Sequence, residues 1–384
     1  MAYPKDLSDP ELTDWIVCDQ LAITQQAGQG RIGEFRDPHI WKEGDLWCML
    51  ICTGSTKTRG GSAILYETDT LELKSDGISM NWKYRGSVYE LENPSALYGT
   101  SWELPILIPL TNEAGTIQKY IFMISPAPAA TADNKVYYFL GDFDVTTGKF
   151  TPDEKFDNQP ALLDYGCNVF TGPSVLTDPV SGDICVFSIM QDQRNGAEQG
   201  SAGWAHGVGL TRKIWLNDDG TDVKIAPIDL HNQEEKILVD AKDLTLTRAN
   251  EELKKVEGDL LYIRAVLAPK DKEEFGIRVK SDGNRNMTFF TYSPKEEKIF
   301  GDTKNKGSDA STNSVSGALS LADGKLALEI YIDRSLVEAF FNDTKAITMR
   351  SYGAYEAQGM ELFSGGEITV ESLYVAKIKP INEK

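Results

Sequence analysis

The sequence has few of the residue types that build metal centres and disulfide frameworks. It contains three histidines and five cysteines among 384 residues, and the cysteines are odd in number and irregularly spaced. Zinc sites need clusters of cysteine or histidine at short characteristic spacings, and disulfide frameworks need paired cysteines. We therefore expect no metal site and no bound cofactor. We interpret the segment CMLIC (48–52) as the interior of a strand, where cysteine behaves as a small apolar residue.

Long apolar runs and an excess of positive charge are also missing. No stretch reaches the length of apolar residues that crosses a membrane, and the N-terminus MAYPKDLSDPEL lacks the basic end and apolar core of a secretion signal. The net charge is −19, so the surface repels the phosphate backbone of nucleic acids. We therefore expect neither membrane nor nucleic acid as a partner, and the compartment stays open. Neutral ligands such as sugars are unaffected by this charge.

Short strand-like segments dominate the rest of the chain. They are rich in β-branched and aromatic residues and are separated by Gly, Asp, Asn and Pro, and no long segment has helical periodicity. Examples are LWCMLICTG (46–54), KYIFMISPA (119–127) and LALEIYIDRSLVEAFFN (326–342). This pattern predicts an all-β protein.

The grouping of these strands indicates two domains. Loosely repeated units of several strands begin near Phe35, Ser101 and Asp164, which is typical of the blades of a β-propeller. The polar stretch 229–248 follows and indicates a linker, and the short alternating strands of 249–384 indicate a β-sandwich. We therefore expect a propeller domain over residues 1–228, followed by the linker and the sandwich.

An adjacent pair of opposite charges lies at the start of the first repeated unit. Pro38 biases Asp37 towards an extended backbone, and Arg36 places a positive charge beside the carboxylate of Asp37. A turn with a surface ion pair explains most tripeptides of this kind. The alternative is a carboxylate at the end of a strand that points into a cleft.

A second carboxylate lies in SWELPILIPL (101–110). Glu103 stands between Trp102 and an apolar strand, where an ionised carboxylate is costly to bury. Apolar surroundings favour the protonated form of a carboxyl group, which is the form that a general acid needs. The alternative is an edge residue that points into solvent.

Two further candidates lie near glycines later in the chain. Asp164 precedes Gly166 in a loop-like segment and is interpreted as a ligand of sugar hydroxyls, with a plain loop as the alternative. Trp204 lies in a glycine-rich segment, and an indole ring suits the apolar face of a sugar. His206, two residues later, is more simply structural.

Taken in chain order, these segments resemble glycoside hydrolase family 32, which comprises invertases, inulinases and levanases. SWELP (101–105) is similar to the WECP motif of that family, and DYGCNVFTGPSVLTDP (164–179) is similar to the DYG segment of its fourth blade. FRDPHIW (35–41) resembles the segment that leads into the second blade. GWAHGVGLTRKIWL (203–216) resembles the start of the fifth blade, and IYIDRSLVEAFFND (330–343) resembles the C-terminal sandwich.

The resemblance implies a five-bladed propeller followed by a β-sandwich, with blades two to five in residues 1–228. It also implies retaining cleavage of β-fructofuranosides, such as sucrose, inulin or levan, through a fructosyl-enzyme intermediate. On the matching positions, Glu103 is the acid/base and Asp37 is the transition-state stabiliser. The residues expected to contact substrate are Arg36, Trp102, Asp164 and Trp204.

The chain departs from the family at the attacking carboxylate. The family carries this group in a WMNDPNG-like motif of the first blade, and no NDPNG occurs in these 384 residues. Asp9 lies in LSDPEL, which lacks the flanking Asn and Gly, so Asp9 is not assigned as the nucleophile. Leu104 stands where the family usually has cysteine. We therefore expect most of the first blade to be missing. A separate chain or a homo-oligomer could complete it, the sequence could be a truncated form of a longer protein, or the protein could be a non-catalytic relative that keeps a sugar cleft.

Two functions from different classes remain open at this point. One is a glycosidase or fructosyl transferase that is complete only when the first blade is supplied, and whose activity as a single chain is doubtful. The other is a non-catalytic pseudoenzyme that binds fructans or other sugars. The retained acids favour the first function, and the absent nucleophile favours the second.

Overall fold

The computed structural model describes residues 2–17, 21–71, 81–128, 132–283, 285–304, 314–321, 323–353 and 356–380. These residues form two compact units. The first comprises Met1–Pro109 and Lys119–Ala161, and the second comprises Leu110–Gln118 and Leu162–Lys384. Within the described residues, no helix has the length and hydropathy needed to cross a membrane.

The first unit contains a small hairpin and most of two larger antiparallel sheets. The hairpin pairs β1 (Ala2–Pro4) with β2 (Trp15–Val17). The next sheet consists of β3 (Arg36–Glu43), β4 (Leu46–Gly54), β5 (Gly61–Thr68) and β6 (Lys83–Tyr89), in this order. The last consists of β7 (Ser101–Thr111), β8 (Gln118–Ala127), β9 (Tyr137–Asp144) and β10 (Lys149–Pro152), with β11 (Ala161–Leu162) paired to β9.

The second unit begins with one four-stranded sheet and continues into two larger ones. The four-stranded sheet consists of β12 (Phe170–Thr177), β13 (Ile184–Met190), β14 (Arg212–Leu216) and β15 (Val223–Pro227). A six-stranded sheet contains β16 (Glu234–Thr245), β17 (Leu260–Pro269), β22 (Leu326–Asp333), β23 (Leu336–Phe341), β24 (Lys345–Arg350) and β26 (Ile368–Ile378). A five-stranded sheet contains β18 (Phe275–Ser281), β19 (Met287–Ser293), β20 (Lys298–Lys304), β21 (Ser314–Ala318) and β25 (Gly359–Ser364).

Helices are few and short in the described residues. The α-helices are α1 (Gly196–Ala202), between β13 and β14, and α2 (Leu246–Leu253), directly after β16. Single turns of 3-10 helix occupy Ala96–Tyr98, Glu154–Phe156 and His231–Gln233. The prediction of an all-β protein is therefore confirmed.

The apolar runs of the sequence become the middle strands of the sheets. Nearly all residues of β4 and all residues of β5 are buried, because each of these strands has a neighbour on both sides. Cys48 and Cys52 are fully buried in β4, as the segment CMLIC predicted. The repeated units expected near Phe35, Ser101 and Asp164 correspond to the three four-stranded meanders, which have the form of propeller blades.

One expected blade boundary is wrong. The segment GWAHGVGLTRKIWL was expected to start a new blade, but its strand β14 pairs with β13 in the sheet that β12 begins. The described part of residues 1–228 therefore contains three blade-like sheets, one of which has β11 as a fifth strand, rather than the four expected blades. A loop that contains α1 separates β13 from β14, and this long insertion within one sheet explains why the segment resembled a new start.

The stretch 229–248 is also not a linker. It contains β16, which pairs with β26 from Glu234 to Thr245, and the beginning of α2. β16 is an edge strand and most of its side chains are exposed. An edge strand needs few apolar residues, so its polar composition resembled that of a linker.

The two large sheets of the second unit share one apolar core, as expected for a sandwich. Phe275 and Phe290 of the five-stranded sheet and Ile330 and Val375 of the six-stranded sheet are at most 1% exposed and belong to the same cluster. Strands that alternate buried and partly exposed residues, such as β22, supply one apolar face each.

A buried ion cluster ties the four-stranded sheet of the second unit to the sandwich. Arg212 of β14 is fully buried, and its Nη1 donates to Oδ2 of Asp164 at 2.6 Å, while its Nη2 donates to Oε2 of Glu338 at 2.7 Å. The Oγ1 hydroxyl of Thr348 in β24 donates to Oδ2 of Asp164 at 2.6 Å. A Cβ atom on Gly166 would lie 2.0 Å from the carbonyl oxygen of Thr348, so this close approach requires glycine.

Arg212→Met is expected to destabilise the fold strongly. The variant leaves Asp164 and Glu338 buried without a cation, and loss of one partner of a buried ion pair costs about 3–5 kcal/mol of unfolding free energy. Urea unfolding followed by tryptophan fluorescence measures this change.

The matched control is Lys213→Met at the next residue. Nζ of Lys213 lies 2.8 Å from Oδ1 of Asp183 in a partly exposed pair, so its loss is expected to cost less than about 1 kcal/mol. Equal destabilisation by the two substitutions would show that the buried cluster contributes nothing specific.

Candidate functional site

The first unit brings three carboxyl groups around one guanidinium group. Nη2 and Nε of Arg36 donate to Oε1 of Glu103 at 2.8 and 3.2 Å, and Nη1 of Arg36 donates to Oε2 of Glu34. Oδ2 of Asp37 lies 3.9 Å from the same Nε atom. The structure therefore brings together Asp37 and Glu103, the two acids that the sequence singled out although they are far apart in the chain.

The backbone of the cluster is held in the left-handed region at two residues. φ is +55° at Asp37 and +46° at Leu104, and the register of β3 against β4 is irregular between Arg36 and His39. The expected extended backbone at Asp37 is therefore wrong. Asp37 therefore lies within the irregular part of the pairing between β3 and β4. Oδ2 of Asp37 accepts a hydrogen bond from the backbone N–H of Leu104 at 3.2 Å.

The left-handed backbone of Leu104, the residue after Glu103, is strained and must be held by its contacts. A non-glycine residue in a sparsely populated backbone region costs about 1–3 kcal/mol and persists only where surrounding contacts hold it. The hydrogen bond from Leu104 to Asp37 is such a contact, because it joins β7 to the irregular start of β3. The direction of the Glu103 side chain therefore depends on the carboxylate of Asp37.

The surroundings of Glu103 differ from the apolar environment that the sequence predicted. Its side chain is 39% exposed and faces Arg36, whereas the preceding Trp102 is fully buried. Successive side chains of a strand point to opposite faces, so the apolar neighbours in β7 do not enclose the carboxylate. Oε1 of Glu103 receives both bonds from Arg36, and Oε2 receives no hydrogen bond in the described part of the chain.

The cluster carries more acidic than basic groups. Burial alone would lower the pKa of Arg36, but hydrogen bonds to Glu34 and Glu103 outweigh it and raise the pKa above its ordinary value. Arg36 is therefore a permanent cation among three carboxyl groups. An excess of carboxyl groups around a partly exposed opening suits a ligand that develops positive charge, such as an oxocarbenium ion.

Trp102 lies in the core and not in the cleft that the sequence predicted. Its ring contacts the rings of Phe122 and Phe139, and its Nε1 donates to the carbonyl oxygen of Tyr98 at 3.0 Å. A Cβ atom on Gly61 would lie 2.2 Å from the indole ring. No part of the ring is exposed to receive a sugar, because Trp102 points to the face of β7 opposite to Glu103.

Asp164 occupies a structural position in the second unit. It is 1% exposed, and its Oδ1 accepts hydrogen bonds from the backbone N–H groups of Gly166 and Thr348 at 2.7 and 3.0 Å. Its Oδ2 is bound by Arg212. A sugar hydroxyl would have to displace one of these partners, and a substrate contact by Asp164 stays a prediction.

Trp204 is exposed in the second unit and forms part of a second polar cluster. Its ring is 46% exposed, and the guanidinium carbon of Arg194 lies 4.1 Å from the ring centroid. Asp192 accepts hydrogen bonds from Nε of Arg194 at 3.0 Å and from the hydroxyl of Tyr352 at 2.6 Å. Burial alone would raise the pKa of Asp192, but these hydrogen bonds lower it well below its ordinary value. A sugar contact by Trp204 stays a prediction.

Sequence reasoning missed several residues of these clusters. Glu34 was not singled out, although it stands two residues before Arg36, where alternation along an extended chain brings it to the same side. Asp192 and Arg194 lie two and four residues after the end of the apolar strand β13, whereas Arg36 and Asp37 begin β3. Both pairs are opposite charges beside an apolar strand, which is the signal that could have found Asp192 and Arg194. His206 is structural in this arrangement, since its Nδ1 accepts the backbone N–H of Asp192 at 3.2 Å.

An uncovered apolar surface lies beside the carboxyl cluster in the first unit. Among the described residues that line a cavity of about 440 Å³, Arg36 is the one charged residue and the other side chains are apolar. In the nearby hairpin, Trp15, Ile16 and Val17 of β2 are 53%, 39% and 73% exposed. Because successive side chains point to opposite faces, neither face of β2 is covered in the described residues. Such surfaces mark interaction sites.

His39 is a partly buried titratable group two residues after Asp37, and its Nε2 atom is buried. Its ring stacks on Trp41 at 5.7 Å between centroids, and its Nε2 has no hydrogen-bond partner in the described part of the chain. Burial lowers the pKa of His39 to about 4 from the ordinary value of 6.5. The neutral ring is therefore the form that the folded protein holds near neutral pH.

His39→Gln is expected to reduce the sensitivity of the fold to acid. The unfolded chain takes up a proton on His39 below about pH 6.5, and the folded chain does so only below about pH 4. Stability from this residue is therefore lost as the pH falls from about 6.5 to 4, by roughly 3 kcal/mol between pH 7 and pH 4. Urea unfolding at pH 7 and pH 4 measures the loss, which is expected to be smaller in the variant by this amount.

His231→Gln is the control for this experiment. The hydrogen bond with Glu234 raises the pKa of the exposed His231, so His231 contributes stability at low pH that is lost as the pH rises. The control is therefore not expected to reduce acid sensitivity. An unchanged difference between pH 7 and pH 4 in His39→Gln would refute the assignment.

Comparison with known proteins identifies relatives over most of the chain. The model of the glycosyl hydrolases family 32 N-terminal domain matches residues 1–227, and the model of the family 32 C-terminal domain matches residues 230–377. The levanase of Bacillus subtilis is 26% identical over 365 residues, which are 91% of this chain and 51% of the levanase. Fructan 1-exohydrolase w3 of Triticum aestivum is 24% identical over 292 residues, 73% of this chain and 44% of that protein.

The chain spans about half the length of these curated relatives. Among solved structures, fructan 1-exohydrolase IIa from Cichorium intybus has a TM-score of 0.79 at 15% identity, and the match covers 98% of this chain and 78% of that chain. Exo-inulinase from Aspergillus awamori has a TM-score of 0.70 at 21% identity and covers 90% and 67%. These likenesses confirm the predicted fold, which is a propeller-type domain followed by a β-sandwich.

Proposed function

The chain belongs to glycosyl hydrolase family 32, and from this premise we propose that it acts on β-fructofuranosides such as sucrose, inulin or levan. The observation that carries the proposal is the meeting of Asp37 and Glu103 at Arg36. The names of the relatives, levanase and fructan 1-exohydrolase, point to the same substrate class. Their levans and fructans are neutral sugars, which the net charge of −19 does not repel.

Glu103 is the acid/base in this proposal. Arg36 holds Oε1 of Glu103 with two hydrogen bonds, which leaves the exposed Oε2 to face the glycosidic oxygen. Glu103 would give its proton to that oxygen as the bond breaks and later remove a proton from the attacking water. The family reaction retains configuration through a glycosyl-enzyme intermediate, which requires this exchange of roles.

Asp37 is the transition-state stabiliser. Its Oδ2 is occupied by the backbone N–H of Leu104, and its Oδ1 accepts no hydrogen bond in the described residues. Oδ1 is therefore available to hydroxyl groups of the fructose ring. Hydrogen bonds of this type strengthen as positive charge develops on the ring.

The attacking carboxylate is proposed to come from outside these 384 residues. Retaining cleavage needs a nucleophilic carboxyl group about 5–5.5 Å from the acid, and no residue matches the family motif that carries it. Glu34 is a poor candidate, because its segment GEFRDP does not match that motif. The apolar surface beside Arg36, which the described residues leave uncovered, supports completion by a further segment, whether it belongs to a longer form of this chain, to a separate chain or to a second copy of this one.

The second candidate is a non-catalytic protein that binds fructans. The absence of the nucleophile motif is the observation that favours it. The same two free oxygens, Oε2 of Glu103 and Oδ1 of Asp37, would then hold sugar hydroxyls without cleavage. Both candidates therefore predict sugar binding, and they differ in turnover once a first blade is supplied.

Glu103→Gln and Asp37→Asn are expected to have different effects. In a preparation that hydrolyses sucrose or inulin, Glu103→Gln is expected to lower kcat by about 10²–10⁴-fold, as loss of a general acid does, with little change in sugar affinity. Asp37→Asn is expected to weaken both turnover and affinity. Fructose release and calorimetric titration with the sugar measure the two quantities.

Glu90→Gln is the control for these two variants. Its carboxylate lies 3.7 Å from Nζ of the exposed Lys57 in the first unit and contacts no group of the cluster. It is expected to leave turnover and affinity unchanged. Undiminished turnover in both Glu103→Gln and Asp37→Asn would contradict the assigned roles.

The need for a further segment is tested by co-production with an N-terminal segment of the family propeller that carries a WMNDPNG-like motif. Native mass spectrometry is expected to show a one-to-one complex, and the complex is expected to release fructose from sucrose or inulin. A dimer of this chain alone would identify the second copy as the occupant of the apolar surface. Sugar binding without hydrolysis in every preparation would refute the enzyme and support the binding protein.

A further inference from the structure

The contact between Arg36 and Glu103 has an unusual form. An arginine edge commonly meets both oxygens of a carboxylate in parallel hydrogen bonds. Here Nε and Nη2 of Arg36 are both directed at Oε1 of Glu103, at 3.2 and 2.8 Å. Oε2 of Glu103 therefore stays open, although a small rotation of the guanidinium plane would engage it.

Two further contacts set the guanidinium plane of Arg36. Nη1 donates to Oε2 of Glu34 on the side away from Glu103, and Nη2 also lies 3.3 Å from Oγ of Ser101. Glu34 is 31% exposed and Arg36 is 36% exposed, so neither side chain is fixed by packing alone. The ion pair with Glu34 is the contact that opposes rotation of Arg36 towards both oxygens of Glu103.

We infer that Glu34 is a positioning residue, which holds Arg36 in a one-oxygen contact with Glu103 and so keeps Oε2 of Glu103 free for the substrate. The inference rests on the proposed function for its catalytic consequence, because only an acid/base needs that oxygen free. Its geometric part concerns this chain alone. Glu34 touches neither substrate nor reacting atoms and acts through Arg36.

The charge balance of the cluster supports this role. With Glu34 present, the single cation is shared between two close carboxyl groups, those of Glu34 and Glu103, while Asp37 lies farther away at 3.9 Å. Without Glu34, the attraction of Arg36 is directed at Glu103 and Asp37 alone. The strongest arrangement left is the parallel contact with both oxygens of Glu103, which would occupy the oxygen that faces the glycosidic bond.

The first test is a crystal structure of Glu34→Ala. Nη2 of Arg36 is expected to move to within about 3.2 Å of Oε2 of Glu103, with Nε staying on Oε1. Glu34→Gln keeps a carbonyl oxygen that accepts from Nη1, so it is expected to retain the one-oxygen contact of the parent. A one-oxygen contact in Glu34→Ala would overturn the inference, whether or not any preparation is active.

The second test uses kinetics of the completed enzyme. Glu34→Ala is expected to lower kcat by about tenfold or more while KM changes less than twofold, since a blocked acid/base affects the chemical step rather than substrate binding. The same substitution is expected to have no effect on kcat in an Arg36→Met background, because no guanidinium is left to block Oε2. An equal loss in both backgrounds would overturn the inference.

The matched control is Glu90→Ala, which removes the partner of the exposed Lys57 in an ion pair of the same unit. It is expected to change neither kcat nor the contacts of Arg36. If no preparation hydrolyses any fructoside, the proposed function fails, and the crystal structure of Glu34→Ala still decides the role of Glu34. If hydrolysis occurs and Arg36 keeps its one-oxygen contact in that variant, only the present inference fails.

Discussion

The guanidinium group of Arg36 is the constraint on which the candidate site depends. Carboxyl groups from Glu34, Asp37 and Glu103 lie around it, and like charges at such short range repel one another strongly when water is partly excluded. The positive charge of Arg36 offsets this repulsion, so the start of β3 and the start of β7 can lie close together. The strained backbones of Asp37 and Leu104 are joined by the hydrogen bond between these two residues. The charged groups and the strained residues therefore lie in the same small part of the first unit.

The sequence predicted the architecture well because architecture follows from apolar patterning. Runs such as LWCMLICTG could only become buried strands, and turn residues between them marked the repeated units that appear as four-stranded sheets. The interpretation of 229–248 as a linker was wrong because an edge strand such as β16 needs little apolar surface. The long insertion between β13 and β14 made β14 resemble the start of a new blade. The sequence alone did not show that β14 pairs with β13, because strand pairing depends on partners that are distant in the chain.

The site was predicted only in part. Asp37 and Glu103 could be found because a charged residue beside an apolar strand is conspicuous, but their meeting at Arg36 depends on tertiary contacts. The left-handed backbone of Asp37 overrode the bias that Pro38 imposes, because the irregular register of β3 and the hydrogen bond from Leu104 set it. The burial of Trp102 follows from strand alternation once Glu103 is known to face outward.

A comparison of the two arginine clusters shows how a site differs from a scaffold. Arg212 is fully buried, and the carboxylate of Asp164 that it binds has hydrogen bonds on both oxygens. Arg36 is partly exposed, and Glu103 keeps one oxygen without a partner in the described residues. Both oxygens of the buried Asp164 are therefore occupied and have no capacity left for a ligand, although Nε of Arg212 has no hydrogen-bond partner in the described residues. The unused capacity at Glu103, beside an apolar surface that the described residues leave uncovered, is the reason for proposing the first unit as the place where a fructoside and a completing segment would meet.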